Sequence, residues 1–297
     1  MLAADRQELI IDMSRIANPS AFIPYFQVVA FADRPFAGNL AGVCVLDAWP
    51  DDAAMLAIAG ESGAPATAFM IPSQEPIGLR WFTPVVEEEM CGHATLGAAC
   101  VVLNALRPGE TSVTFATRVG ALTVERRGCD YVLDLPARPP WRLPASPAVE
   151  AALGRPALEL LRSAYYVAVM KSGREVDALQ PKLDLVAKLD LPGLIVTAPG
   201  DEFGCDIVSR YFAPAKGIPE DPATGSAHAQ IIPYWSERLG QNVLRAKQLS
   251  RRGGEMLCEH VGDRVRISAH AVLYLKGEIR QPDVRGTPPR VAGRHSS

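Results

Sequence analysis

Two short stretches in opposite halves of this 297-residue chain are built alike, and they constrain its folding more than anything else. They are Cys91-Gly92-His93-Ala94-Thr95 and Asp221-Pro222-Ala223-Thr224-Gly225-Ser226-Ala227-His228. Each sets glycine, a small hydroxyl or imidazole side chain and alanine into the step before an apolar run. Each reads as a turn that opens a helix with backbone N–H groups exposed. The run behind the first, residues 94–103, is apolar nearly all round, so its helix must be buried on every side. A sheet wrapped around it would do that. The second helix, 226–239, carries Ile231, Trp235 and Leu239 at helical spacing. Pro233 inside it should bend it and free the carbonyl of Ala229.

Strand-like segments flank both helices in the same order. Before the first come 25–31, 39–46, 66–71 and 78–83, with a helix at 51–62 that Asp51 can cap. After it come 112–116, 120–126 and 131–135. The second half offers a short helix near 148–153 and strands at 163–170, 193–197 and 205–212. Strands at 248–252, 255–260 and 264–267 follow its helix. Gly92 and Gly225 are 133 residues apart, which suggests a duplication with a pseudo-twofold axis. The expected class is α/β (α+β): two similar domains, each a curved, mostly antiparallel sheet or barrel around a central helix. The proline-rich stretch 136–147 is the natural linker. The expected divisions are an extension over 1–23 with a short helix around 6–16, domains over 24–137 and 138–280, and a loose tail over 281–297. The cleft between the halves is the expected site.

The formal net charge is −3 and no long basic run occurs, which argues against nucleic acid. No apolar stretch approaches a membrane span, and the N-terminus lacks the features of a secretory signal, so a soluble cytoplasmic protein is expected. The six cysteines and five histidines match no metal or redox spacing. Five of the cysteines read as small buried residues; Cys91 differs because it precedes a helix start. Two helix starts brought face to face would cradle a carboxylate, because free N–H groups and the helix dipole both favour negative charge.

Six motifs then carry a resemblance. They are Pro35-Phe36-Ala37-Gly38-Asn39, Arg80-Trp81-Phe82-Thr83-Pro84, Cys91-Gly92-His93-Ala94-Thr95-Leu96, Ser209-Arg210-Tyr211-Phe212-Ala213-Pro214, Asp221 to His228, and Gln248-Leu249-Ser250-Arg251-Arg252-Gly253-Gly254. In this order, over roughly residues 25–280, they resemble the phenazine-biosynthesis PhzF family within the diaminopimelate-epimerase-like fold. The resemblance implies two similar domains with the active cleft between them, a homodimer, and no metal or organic cofactor. It also implies proton relocation on a small carboxylic acid, by isomerisation, tautomerisation or epimerisation, in specialised metabolism such as antibiotic biosynthesis.

One departure matters. The family's acid/base glutamate falls at Ala66, within Gly63-Ala64-Pro65-Ala66-Thr67-Ala68-Phe69, and alanine moves no proton. Either another group replaces it or the chain binds a small acid without acting on it; a hydrolase using the same cradle is a further alternative. Cys91 is the expected substitute base, since a helix start lowers a thiol pKa and the epimerase relatives keep a cysteine there. His93 and Asp221 complete the catalytic set, with Gly92, Gly225, Ser226, Asn39 and Ala66 around the substrate. Ser226 is also a candidate N-cap. Thr224, where those relatives keep a second cysteine, is a poor base. Glu87, Glu88 and Glu89 read as a solvated edge from which one could reach the cleft, His270 as a surface or packed strand residue, and Arg210 and Arg252 as structural ion-pair residues near the cleft that could also aid anion binding.

Overall fold

The computed structural model describes residues 22–281. The helix expected at 6–16 and all but the first residue of the expected tail lie outside them. The first half runs β1 (Phe22–Ala30), β2 (Asn39–Val45), α1 (Asp52–Glu61), β3 (Ala66–Ile71), β4 (Ile77–Phe82), β5 (Glu87–Glu88), α2 (Gly92–Val101), β6 (Ser112–Thr117), β7 (Gly120–Arg127) and β8 (Asp130–Pro136). The second half opens with β9 (Trp141–Leu143), α3 (Pro147–Leu153), β10 (Glu159–Arg162), β11 (Tyr166–Val169), α4 (Gly173–Asp177) and α5 (Leu183–Val186). It continues through β12 (Leu194–Pro199), β13 (Ile207–Ala213), β14 (Ile218–Asp221), α6 (Gly225–Leu239), β15 (Val243–Gln248), β16 (Gly254–Val261) and β17 (Arg264–Arg280).

Strand pairing repeats between the halves. β1–β2 is antiparallel, β2–β3 parallel and β3–β4 antiparallel; β10–β11, β11–β12 and β12–β13 follow the same sequence. β4 then pairs antiparallel with the short β5 and parallel with β6, as β13 does with β14 and β15. Antiparallel meanders β6–β7–β8 and β15–β16–β17 complete the two repeats.

β8 and β17 lie side by side, with Leu133 opposite Ile267. Beyond that contact each repeat reaches into the other. Residues 271–280 of β17 pair with β1, while the chain after β8 forms β9 and pairs with β10. β17 thereby closes β1–β2–β3–β4–β6–β7–β8 into an eight-strand barrel.

α2 runs inside this barrel with all ten residues buried, as its all-round apolarity requires. An eight-strand barrel has room for little more than side chains, so a helix fits only if it is thin. Ala94, Gly97, Ala98 and Ala99 make it so; a Cβ at Gly97 would come 3.0 Å from the Ala41 Cβ. α6 is its counterpart, and both helices share one apolar cluster that includes Leu96, Leu133, Ile231, Trp235 and Ile267. Pro233 lies within α6, and the Ala229 carbonyl accepts the Arg138 N–H at 2.9 Å. The proline-rich stretch thus satisfies the oxygen that the helix proline leaves without its usual donor. α1 covers the outer face of the first sheet, and α3, α4 and α5 cover the second.

Several elements differ from expectation. Residues 163–170 are not one strand: the chain turns at Ser163, whose N–H bonds the Tyr165 carbonyl, so β10 and β11 form a hairpin. The proline-rich stretch holds a strand after all, because Trp141–Leu143 is free of proline and pairs at the sheet edge. The strand expected at 248–252 ends at Gln248; Ser250 and Gly253 close a turn there. β17 is far longer than 264–267, and α4, α5, β5 and β14 are too short for a periodicity signal. Cys129 is exposed, not buried.

Candidate active site

The two helix starts meet. A Cβ placed on Gly92 would lie 3.2 Å from the Gly225 Cα, and one on Gly225 would lie 3.5 Å from the Gly92 Cα. The approach is tight at Gly92, where a Cβ would crowd the opposite backbone, and ordinary at Gly225. Leu133 and Ile267, the residues paired across the repeats, pack beneath Gly92 and Gly225 respectively. The N-cap residues are Cys91 and Thr224, and neither side chain caps its helix. Ser226 is therefore not the N-cap; it is the second residue of α6. Both helix starts thus present uncapped N–H groups to a shared cleft of about 40 Å3.

Thr224 cannot cap because its hydroxyl is engaged elsewhere. It donates to Asp221 Oδ2 and accepts from Gln248 Nε2 at 3.1 Å. Gln248 also accepts the Thr224 N–H at 2.8 Å and donates to the Asp221 carbonyl at 2.7 Å. Asn39, at the start of β2, donates from Nδ2 to Asp221 Oδ1 at 2.7 Å and to the Ala223 carbonyl at 2.8 Å. Asn39 thus stands behind Asp221 and holds it. Burial raises the Asp221 carboxyl to about 6, although the bonds from Thr224 and Asn39 pull the other way.

His93 is buried, and desolvation lowers its imidazole to about 3, so the ring is neutral. Its Nδ1 lies 3.4 Å from Cys91 Sγ, while Nε2 is buried and has no hydrogen-bond partner. Cys91 is not the thiolate expected from its position. Burial pushes its thiol well up, the nearby Ala94 backbone opposes this only in part, and Glu88 and Asp221 push it further. Desolvation outweighs the helix start here.

Two of the three residues in the acidic run are not solvated, whereas Glu89 is exposed as expected. Glu87 accepts both Arg80 Nε and Nη2, at 2.7 and 2.8 Å, and pairs with Arg118 at 2.9 Å. Glu88 faces the cleft, where Lys216 of the other half donates to it at 2.6 Å. Burial draws Lys216 down, but Tyr165 and Glu88 more than offset this and hold its ammonium above the usual value. Tyr165 and Tyr211, with ring centroids 4.8 Å apart, line the same wall. Burial and then Tyr165 keep the Tyr211 phenol protonated. Ala66 also lines the cleft.

Glu88, Lys216 and the tyrosine pair escape sequence reasoning. The only available signal was that Glu88 precedes Cys91 by the same three residues by which Asp221 precedes Thr224. Arg210 grips Glu220 at 2.7 and 3.0 Å and three backbone carbonyls. Arg252 forms no ion pair among the described residues and instead ties down the carbonyls of Ala37 and Gly38, so the expected ion pair holds for Arg210 alone. His270 pairs with Asp130 at 2.9 Å at the surface. A larger hollow, about 210 Å3, lies between α3 and β10, lined by Arg142, Glu150 and Glu159 and by the start of the short α3. Among the described residues no cluster of His, Cys, Asp or Glu could hold a metal, and no helix is long and apolar enough to cross a membrane.

Two similar sheet-and-helix repeats whose glycine helix starts meet at a buried acid define a class of fold with its site at the join. Comparison with known proteins narrows it. The model of the phenazine biosynthesis-like protein family, PhzC-PhzF, matches residues 28–277, and the chain belongs to that family. It is 46% identical over 260 residues to an uncharacterized isomerase of Pseudomonas aeruginosa, covering 87% of this chain and 98% of that one. It superposes on the crystal structure of a PhzF-family protein from Enterococcus faecalis with a TM-score of 0.82 at 42% identity, covering 87% and 99% of the two chains. A hydroxyproline epimerase from Agrobacterium vitis shares the fold at 9% identity, with a TM-score of 0.60 and coverage of 90% and 94%.

Proposed function

We propose that this protein is a cofactor-independent isomerase that relocates a proton on a small carboxylic acid. The observation that carries this reading is the contact of two uncapped helix starts beside a buried acid that titrates near neutral pH. N–H groups at Gly92 and His93, and at Gly225 and Ser226, would hold the substrate carboxylate and the enolate-like charge that develops when a proton leaves. Neutral His93 supports this role. With Cys91 donating to Nδ1, the ring proton sits on Nε2, and the free N–H becomes a further donor to the anion. Asp221, near pH 6, can hold or release a proton under ordinary conditions.

The family supports the same reading, since a relative from Pseudomonas aeruginosa covering 87% of this chain is described as an uncharacterized isomerase. A silent binder of small acids is the second reading, favoured by one observation: Ala66 occupies the cleft wall where the resemblance places the family's glutamate. Deuterium wash-in separates the two. A panel of cyclic unsaturated carboxylic acids, including a dihydroanthranilate, is incubated with the enzyme in deuterium oxide and followed by NMR. Exchange at a carbon next to the carboxylate supports the isomerase. Binding of anthranilate without exchange of any panel member makes the protein a binder.

A further inference from the structure

The internal symmetry does more than bring two glycines together. Gly92 corresponds to Gly225, and Cys91 to Thr224, at a separation of 133 residues. At that separation Glu88 corresponds to Asp221. β5 and β14 are equivalent strands, since each pairs antiparallel with the strand that also carries the first strand of the following meander. The fold therefore delivers one carboxylate three residues ahead of each helix N-cap, and both line the same cleft.

Their surroundings are opposite. Asp221 is 4% exposed and wrapped by Asn39 and Thr224, with no cation bonded to it. Glu88 takes a 2.6 Å bond from Lys216, and their side chains are 12% and 20% exposed. One carboxyl is buried among neutral hydrogen-bond partners and the other is bonded to an ammonium, so the two groups are built for different roles. Ala66 adds no titratable group, and the Cys91 thiol and His93 imidazole are both neutral.

We propose that Glu88 is the proton acceptor and Asp221 the proton donor of a two-carboxylate relay across the cleft, with Lys216 positioning Glu88. The inference rests on the isomerase reading above. In the step, Glu88 takes a proton from a substrate carbon and that C–H bond breaks. Its electron pair moves into the unsaturated acid held by the helix starts. The Asp221 O–H then gives its proton to a second carbon, or to the opposite face of the first. Glu88 is left protonated and Asp221 ionised, and exchange with water restores both.

The test is deuterium wash-in by wild type, Glu88→Gln, Glu88→Asp and Lys216→Met, using the most reactive acid of the panel. Anthranilate binding by calorimetry serves as the control for an intact cleft. Glu88→Gln should lose at least about a hundredfold in exchange rate while anthranilate affinity stays within about threefold. Glu88→Asp, which keeps the carboxylate, should recover part of the loss and serves if the glutamine variant does not fold. Lys216→Met, which removes the group that holds Glu88 in place, should lower the exchange rate while anthranilate affinity stays within about threefold. The groups that line the cleft with Glu88 include Lys216, Asp221, Cys91, His93 and the two tyrosines. On its own strand, Glu87 is already held by Arg80 and Arg118. Full exchange in Glu88→Gln, with wild type active, overturns the relay alone. No exchange by wild type on any acid removes the isomerase reading and the relay with it.

Discussion

Asp221→Asn should stabilise the protein progressively as pH rises. Burial lifts the Asp221 carboxyl from 3.8 to about 6, so folding favours its protonated form. Below 3.8 both folded and unfolded chains keep the proton, and stability is untouched. As pH climbs from 3.8 toward 6 the unfolded chain ionises while the folded one resists, and stability falls. Above 6 both are ionised and the loss is constant. At 1.36 kcal/mol per pH unit the full loss is about 3 kcal/mol. About 2 kcal/mol of it falls between roughly pH 4.5 and 7.5. Asparagine keeps the shape and removes the titration, and Thr224 can turn its hydroxyl from donor to acceptor. Urea unfolding of both proteins across that range gives the stability difference at each pH. That difference should grow by about 2 kcal/mol in favour of the variant, whatever its starting value. A difference that is flat across the range would mean that the hydrogen bonds from Asn39 and Thr224, not desolvation, govern this carboxyl. The same variant should lose wash-in activity, a trade of function for stability common at such sites.

The glycine contact is unequal, so its two substitutions should differ. Gly92→Ala places a Cβ 3.2 Å from backbone and should cost about 1–3 kcal/mol, with weaker anthranilate binding by calorimetry. Gly225→Ala meets ordinary 3.5 Å contacts and should cost under about 1 kcal/mol by the same unfolding measurement. Gln248→Leu strips partners from the Thr224 N–H, the Thr224 hydroxyl and the Asp221 carbonyl. It should destabilise by about 3 kcal/mol; a loss below about 1 kcal/mol would mean that water replaces the amide.

The framework was legible where one segment carried its own signal. The all-round apolarity of residues 94–103 told of an enclosed helix, Pro233 told of a freed carbonyl, and Asp51 caps α1 with its side chain on the Ala54 N–H. The Cys91 thiol was misjudged because sequence reveals the helix start but not how dry the site is. Glu88 was missed for a related reason. Three consecutive glutamates look solvated until a lysine 128 residues away is folded against Glu88 and an arginine on the neighbouring strand against Glu87, leaving only Glu89 exposed. The length of β17 was hidden because most of its second part, residues 271–280, is only half-buried or exposed, so it lacks the apolar alternation that marks a buried strand.

The reciprocal pairing of β17 with β1 and of β9 with β10 makes half of this molecule something other than a smaller version of it. Cut after residue 137, the first repeat is a barrel missing one stave, with the open edges of β1 and β8 ready to stick to any passing strand. Two such halves could close only by lending each other that stave. Fusing them into one chain made the loan permanent, and left their glycine turns nowhere to go but against each other.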